Sequence, residues 1–436
     1  MSRLRSLTTT VIGVVAVGSL LALSACAPEP EPTPTETSSA APQTPAPEPY
    51  AGPLQFFGAE LDWFLPTADE ITATIPGVTD VGEPSASLVQ ISDGFGTQVA
   101  PELCVLFLTE ASLGSIGARS ITWPGDAADI QRGGSFHVLQ FADETQAQNR
   151  MDDYAEAAAG CEQFTLDGHA SSYTSTVIDE GEGVRAIAGA LVLDFGSNTG
   201  EDTRFYYGVA SVGNVLVEFW HPFEGEPALD TAAAAQLLAD RAQDAADRLV
   251  DELTANPPVE REEVEVDASA PWNQWQIGFD GVGPLQLGAE IETVAAAAPG
   301  AEVEKPEGGL GEWQLVSPDG NARLSVVPKE EATVVSAIRA GSIALYGDAP
   351  ADGSVLPRAG DVGVGDPVSS AMTAFPEGTS VRIVSAGIHQ YEVSTRDGRL
   401  LIFHSDREVS EEGASIIGIT AEDGTLRREY VFVGEG

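Results

Sequence analysis

The chain has 436 residues and carries 67 acidic against 21 basic side chains, a formal charge of −46. A chain this acidic is repelled by nucleic acid and by acidic lipid headgroups, which excludes a DNA- or RNA-binding role and polybasic attachment to a membrane. Two lysines (Lys305 and Lys329) stand against nineteen arginines, the balance of a GC-rich genome.

Arg3 and Arg5 precede an uncharged apolar run from Leu7 to Leu23 that is short for a spanning helix and ends in small residues. This is the pattern of a cleaved export signal over residues 1–25. Leu23-Ser24-Ala25-Cys26 resembles the lipobox of bacterial lipoproteins. The resemblance implies that the Cys26 thiol takes a diacylglycerol and that acyl chains such as palmitate complete the anchor, since two or more chains hold stably where one does not. Loss of the signal removes two arginines and takes the mature chain from −46 to −48. Residues 26–49 follow as a tether: Ala27 to Pro49 holds eight prolines and no aliphatic side chain larger than alanine. Nothing in it offsets the entropy of folding, and such chains extend at about 3.1 Å per residue.

With Cys26 assigned to lipid, Cys104 and Cys161 remain as an even pair in an oxidising compartment, and a disulfide between them is expected. Neither cysteine has the CxxC context or the neighbouring base of a redox or nucleophilic thiol. Closing that loop contributes up to about 4 kcal/mol on the chain-entropy model.

Residues 50–256 read as an α/β (α+β) domain with an antiparallel sheet. Thr67 and Glu70 have capping-box spacing before Ile71 and Ile75, a short helix. Leu103 to Leu108 reads as a buried strand and Phe136 to Phe141 as another. Asp143 with Gln146 opens a helix carrying Ala147, Met151, Tyr154 and Ala158, which stops at Gly160 before Cys161. Val184 to Phe195, Phe205 to Val212 and Asn214 to Trp220 are further strands, and Leu229 to Leu253 is a long helix ended by Asn256-Pro257-Pro258. The order LPTADEI, PELC, FHVLQFADETQAQNRMDDYAEAAAGC, GNVLVEFW and a closing Ala-rich helix resembles the extracellular sensor domain of mycobacterial PknH-type kinases, which also occurs in actinobacterial lipoproteins. The resemblance covers about residues 55 to 253 and implies an α/β fold with a ligand cleft. This chain departs from it in having one cysteine pair rather than two, and no kinase domain.

Residues 257–271 (PPVEREEVEVDASAP) form an acidic linker, and residues 272–436 then repeat themselves at an offset of about 78. The units, about 277–350 and 357–436, each read as a helix followed by antiparallel strands, with Asp319-Gly320 and Asp397-Gly398 as hairpin turns. A unit of this kind covers one sheet face with one helix, so the copies share a sheet or pack face to face.

No nucleophile elbow, Ser-x-x-Lys or Cys-His arrangement is present, so no catalytic residue is assigned and the chain reads as a non-enzyme without a cofactor. The five histidines (His137, His169, His221, His389, His404) stand singly, and Asp126 with Asp129 and Glu201 with Asp202 lack the pattern of a calcium loop; no metal is expected. Phe56, Phe57, Trp63, Phe64, Trp272 and Trp275 read as packing at the domain edges. Arg119 and Arg132 flank a Gly/Pro-rich loop around Trp123, where salt bridges to the many acids compete with an anionic ligand. The expectation is a lipid-anchored protein on the extracytoplasmic face of the cell membrane that binds an envelope ligand or protein partner, its identity not encoded in any motif; a structural accessory to an envelope complex is the alternative.

Overall fold

Local capping chemistry sets the helices. In the computed structural model, which describes residues 48–427 apart from 92–97, 125–132, 182, 197–202, 260–265, 307–310, 330–331 and 347–348, Thr67 caps α1 (Ala68–Thr74) by accepting from the Glu70 amide while Glu70 bonds back to the Thr67 amide. Cys26, Arg132, the two paired acidic motifs and the charged centre of the linker lie outside the described residues. Four strands follow: β1 (Ser87–Gln90), β2 (Val99–Ala100), β3 (Gly117–Trp123) and β4 (Gly134–Gln140). Asp143 accepts from the Gln146 amide to open α2 (Glu144–Gly160), which ends at Cys161. Then come β5 (Phe164–Leu166), β6 (His169–Gly181), β7 (Val184–Leu193), β8 (Thr203–Val212) and β9 (Val215–Pro222). Asp230 caps α3 (Thr231–Ala255).

These elements make an eight-stranded sheet in the order β2-β5-β6-β7-β8-β9-β4-β3, antiparallel at each pairing. Its two faces are buried by different helices. The alanine-rich side of α3 (Ala235, Leu238, Ala242, Leu249) lies on Phe219 and on Ala186, Ala188 and Ala210, small sheet residues that let the helix come close. On the other face α2 sets Met151 and Tyr154 against Leu139, Val209 and Leu216, beside the Cys104–Cys161 disulfide. Because both faces are covered, β7 and β9 read as near-continuous apolar runs rather than alternating ones.

The second part opens with three two-residue strands, β10 (Ile277–Gly278), β11 (Gly281–Val282) and β12 (Leu285–Gln286), which form their own small sheet. Its first repeat contributes α4 (Ile291–Ala296), β13 (Glu302–Glu304), β14 (Trp313–Val316), β15 (Arg323–Pro328) and β16 (Val335–Gly341). The second contributes α5 (Val368–Ala374), β17 (Thr379–Ile383), β18 (Ile388–Ser394), β19 (Arg399–Ser405) and β20 (Ile416–Asp423). The repeats share one nine-stranded sheet, β1-β17-β18-β19-β20-β16-β15-β14-β13, joined at the antiparallel pair β16·β20. Equivalent residues fill equivalent places in one core: Trp313 and Tyr391, Val326 and Phe403, Ile338 and Ile419, with Trp272 and Trp275 stacked at its end.

The ninth strand comes from the other side of the linker. β1 lies parallel to β17, Ser87 opposite Ser380 and Gln90 opposite Ile383, so both segments belong to one compact unit. Further bonds cross the same boundary: the Arg427 guanidinium donates to the Ser115 carbonyl (2.8 Å), the Gln146 amide to the Gly424 carbonyl (3.2 Å), and the Ser394 hydroxyl to the Gln140 side-chain oxygen (2.7 Å).

Two local expectations are corrected. Leu103 to Leu108 is not a strand: Glu102–Leu108 is a 3-10 helix after Pro101, with the Cys104 amide bonded to the Pro101 carbonyl and Cys104 and Phe107, three apart, both buried. An unbroken apolar run carries no period, so sequence alone could not separate the two. Trp123 is not on a loop either; it ends strand β3, and Arg119 lies inside that strand. All but Thr122 in β3 are buried, so it too lacks the alternation that marks a strand.

Candidate functional site

The two sheets are stitched along β3. The Gly82 amide donates to the Thr122 carbonyl (2.9 Å), Ser85 and Ser120 exchange backbone bonds (2.8 Å each), and the chain then crosses into β1 against β17. Two residues back along the same edge of β3, the Thr379 hydroxyl both accepts from the Ala118 amide (3.0 Å) and donates to the Ala118 carbonyl (3.2 Å). Ala118 therefore holds one segment and Ser120 the other, with Arg119 between them on the other face of the strand.

A cleft of about 730 Å³ opens at this seam, lined among others by Asp62, Pro66, Glu83, Ser85, Arg119 and Glu377. Arg119 is 6% exposed. Its Nε faces Asp62 Oδ1 at 3.0 Å and its Nη1 donates to the Ala118 carbonyl at 2.9 Å; Nη2 meets no acceptor among the described residues. Glu83 and Glu377 are exposed on the two lips. Each is two residues from a β3 anchor, Glu83 from Ser85 and Glu377 from Thr379, so the Ser85 backbone bonds and the Thr379 hydroxyl, rather than long loops, place the two carboxylates.

The walls are tied in the same way. The 3-10 helix Gly58–Phe64 presents Asp62, and Phe56 and Phe64 beneath it are fully buried and stacked edge to face. Gly58 sits at φ +57 with the Glu377 carboxylate where a Cβ would lie, so a side chain there would displace the lip. Across the seam Arg396 pairs with Glu60, donates to the Gln55 carbonyl and covers the Phe57 ring. Burial nevertheless pushes the Glu60 carboxyl above its usual range, against the pull of Arg396. The Tyr391 hydroxyl donates to the Phe375 carbonyl and accepts from the Gly378 amide, clamping the turn that carries Glu377. On α1, Arg241 of α3 binds both Glu70 oxygens and, with the Thr67 bonds, holds that carboxyl down to about 2.

Three carboxylates and one guanidinium thus line the cleft. Among the described residues no histidine or cysteine lines it, and the Ser85 hydroxyl faces the Ser87 hydroxyl at 2.7 Å rather than a base. Among the described residues no group of His, Cys, Asp and Glu could hold a metal ion. The five histidines all lie on strands; His137 approaches Glu218 at 3.4 Å and neighbours Ser120 across β3·β4. That Ser-His-Glu row is not a nucleophile arrangement, because the Ser120 hydroxyl already donates to the Ser87 carbonyl (3.1 Å) and Glu218 accepts from the buried Tyr207 hydroxyl (2.9 Å).

Of the residues singled out in the sequence, Cys104 and Cys161 are bonded and fully buried, distinct from the cleft. Arg119 meets an acid, Asp62, and lines the cleft. Phe56, Phe64, Trp272 and Trp275 are core; Trp63 is half-buried under Arg248. Asp62, Glu83 and Glu377 were not singled out. A signal for Glu377 exists: the turn Pro299-Gly300 of the first repeat becomes Pro376-Glu377-Gly378 in the second, so Glu377 is an inserted residue.

No family model matches the chain, and no curated protein does. Among solved structures the chain is similar to the extracellular domain of PknH from Mycobacterium tuberculosis, at 15% identity over 47% of this chain and 100% of that one, TM-score 0.28. It is also similar to an uncharacterized protein from Mycobacterium smegmatis, at 13% identity over 43% of this chain and 96% of that one, TM-score 0.26. The first is the domain type that the segment order of residues 55 to 253 resembles; at these scores neither likeness bears on function.

Proposed function

We propose that this chain is a lipid-anchored, extracytoplasmic and non-catalytic binding protein whose seam cleft receives a small polar ligand of the envelope. The observation that carries the binding role is the cleft itself, where a nine-tenths-buried arginine has, among the described residues, one donor nitrogen without an acceptor between two carboxylate-bearing lips. The anchor rests on the signal, Leu23-Ser24-Ala25-Cys26 and the tether; the oxidising location is supported by the buried disulfide. Among the described residues no helix is long and apolar enough to cross a membrane.

Cys26→Ala tests the anchor. The variant is expected to leave the membrane fraction while its melting temperature stays unchanged, because the tether separates lipid from fold. Retention after salt and carbonate washing removes the anchor from the proposal. With that soluble variant, a melting-temperature screen against envelope fragments should find a saturable rise, since a ligand that binds only the folded state stabilises it. Co-purification of a protein partner with no such rise would instead favour the accessory role.

A further inference from the structure

The ligand class follows from the charges of the cleft, given that the cleft is the binding site. A simple anion would satisfy Arg119 Nη2 but would lie between Glu83 and Glu377, next to Asp62, in a chain of charge −46. A simple cation would suit the lips yet draw Asp62 away from Arg119 and lie against the guanidinium's own positive charge. One molecule that carries both signs meets both requirements.

We propose that the seam cleft binds a small zwitterion, an amino acid or short peptide, with its carboxylate on Arg119 and an ammonium group between Glu83 and Glu377. Two further observations support this. A volume of about 730 Å³ lies within the usual range for small-molecule sites, about 300–1,000 Å³, and is wide enough for a dipeptide or tripeptide. The ammonium side rests partly on Glu377, the residue by which the second repeat's turn exceeds the first. The buried side of the cleft is already arranged, with Arg119 fixed by Asp62 and Ala118, so an incoming carboxylate gains a charge-assisted bond without ordering a flexible side chain.

The experiment is calorimetric titration of the soluble Cys26→Ala protein with lysyl-alanine, N-acetylated lysyl-alanine in which both amines are blocked, lysyl-alanine amide, and free lysine. Saturable binding of lysyl-alanine is expected, at least tenfold weakened by either blocking group and weakened by added salt. Free lysine separates the amino-acid source from the peptide source of the same chemistry; tighter binding of either one identifies it. Glu377→Gln and Glu83→Gln alter exposed side chains and leave the fold intact; each is expected to weaken lysyl-alanine several-fold while leaving the acetylated peptide unchanged. Equal binding of blocked and free peptides, or unchanged affinity in both variants, overturns the zwitterion. A neutral oligosaccharide that raises the melting temperature where no peptide or amino acid binds also overturns it while leaving the cleft a binding site. No saturable response to any probe removes both.

Discussion

Asn214 offers the sharpest test of how the wall of the cleft is held. It occupies the two-residue turn between β8 and β9, after Gly213 at φ +54, and is fully buried. Its side-chain oxygen accepts from the Phe56 amide (2.7 Å), and its side-chain nitrogen donates to the Phe56 carbonyl (3.1 Å) and the Phe141 carbonyl (2.9 Å). One amide thus pins the extended segment that leads into Gly58–Phe64. Asn214→Ala leaves one buried N–H and two buried carbonyls without these partners. At about 1–3 kcal/mol for each orphaned group, reduced by any water that enters the vacated space, the loss should be about 3–5 kcal/mol. Such a loss is a large share of the about 5–15 kcal/mol typical of a folded domain. Urea unfolding with the disulfide intact should show a lower midpoint at an unchanged slope. Asn214→Asp keeps the acceptor for Phe56 but turns a second oxygen towards two carbonyls. That variant must fold with the carboxyl protonated, so its stability should fall as pH rises above about 4. A loss below about 1 kcal/mol for Asn214→Ala, or an Asn214→Asp variant insensitive to pH, would refute the pinning role.

Two further outcomes are expected. Burial, with Arg339 nearby, lowers the His404 imidazole to about 3, while its Nε2 faces the Thr420 hydroxyl at 2.8 Å. The unfolded chain therefore takes up a proton that the folded chain refuses between about pH 6.5 and 3, and stability is lost as pH falls through that window. His404→Gln should flatten the stability–pH curve there by up to about 1.4 kcal/mol per pH unit relative to the parent; parallel curves would contradict this. A protease site placed after Val259, which is 90% exposed, should yield two pieces that co-elute in native buffer, because β1 stays paired with β17 and Arg396 with Glu60. Separate elution would show that the seam is too weak to hold its cleft.

What the sequence disclosed follows the range of the physics involved. α2 begins at the Asp143 cap and ends before Cys161 as its spacing indicates, and α3 shows its buried stripe, because capping and helical period are local. The repeat was legible because each copy carries its own Asp-Gly turn and helix, and the two indeed share a sheet. β6 was not legible: its run of Ser and Thr lacks apolar alternation, and pairing with β7 rather than composition makes it a strand. The parallel pairing of β1 with β17 joins Ser87 to Ser380, and no local pattern encodes a partner so distant in the chain. The cleft was hidden for the same reason, since Asp62, Glu83, Arg119 and Glu377 come from four separate segments; Arg119 stood out as a cation in an acidic chain and Glu377 as an inserted residue, but no local pattern joins them.

The way the seam is made bears on how the site would work. Three consecutive residues of one strand do three jobs: Ala118 bonds Thr379, Arg119 forms the buried side of the cleft, and Ser120 bonds Ser85. Both lips are therefore referenced to a single strand whose own place is set by seven residue pairs with β4. Relative motion of the lips would have to break backbone or Thr379 bonds, whereas motion of the Glu83 and Glu377 side chains costs only rotamer freedom. This favours a cleft that is formed before its ligand arrives and adjusts through two exposed carboxylates, rather than one that closes by moving one segment against the other. Specificity in such a site resides in the distance between Arg119 and the lips. A ligand with the right charges at the wrong spacing would then be rejected, because matching one end leaves the other in contact with charge of its own sign.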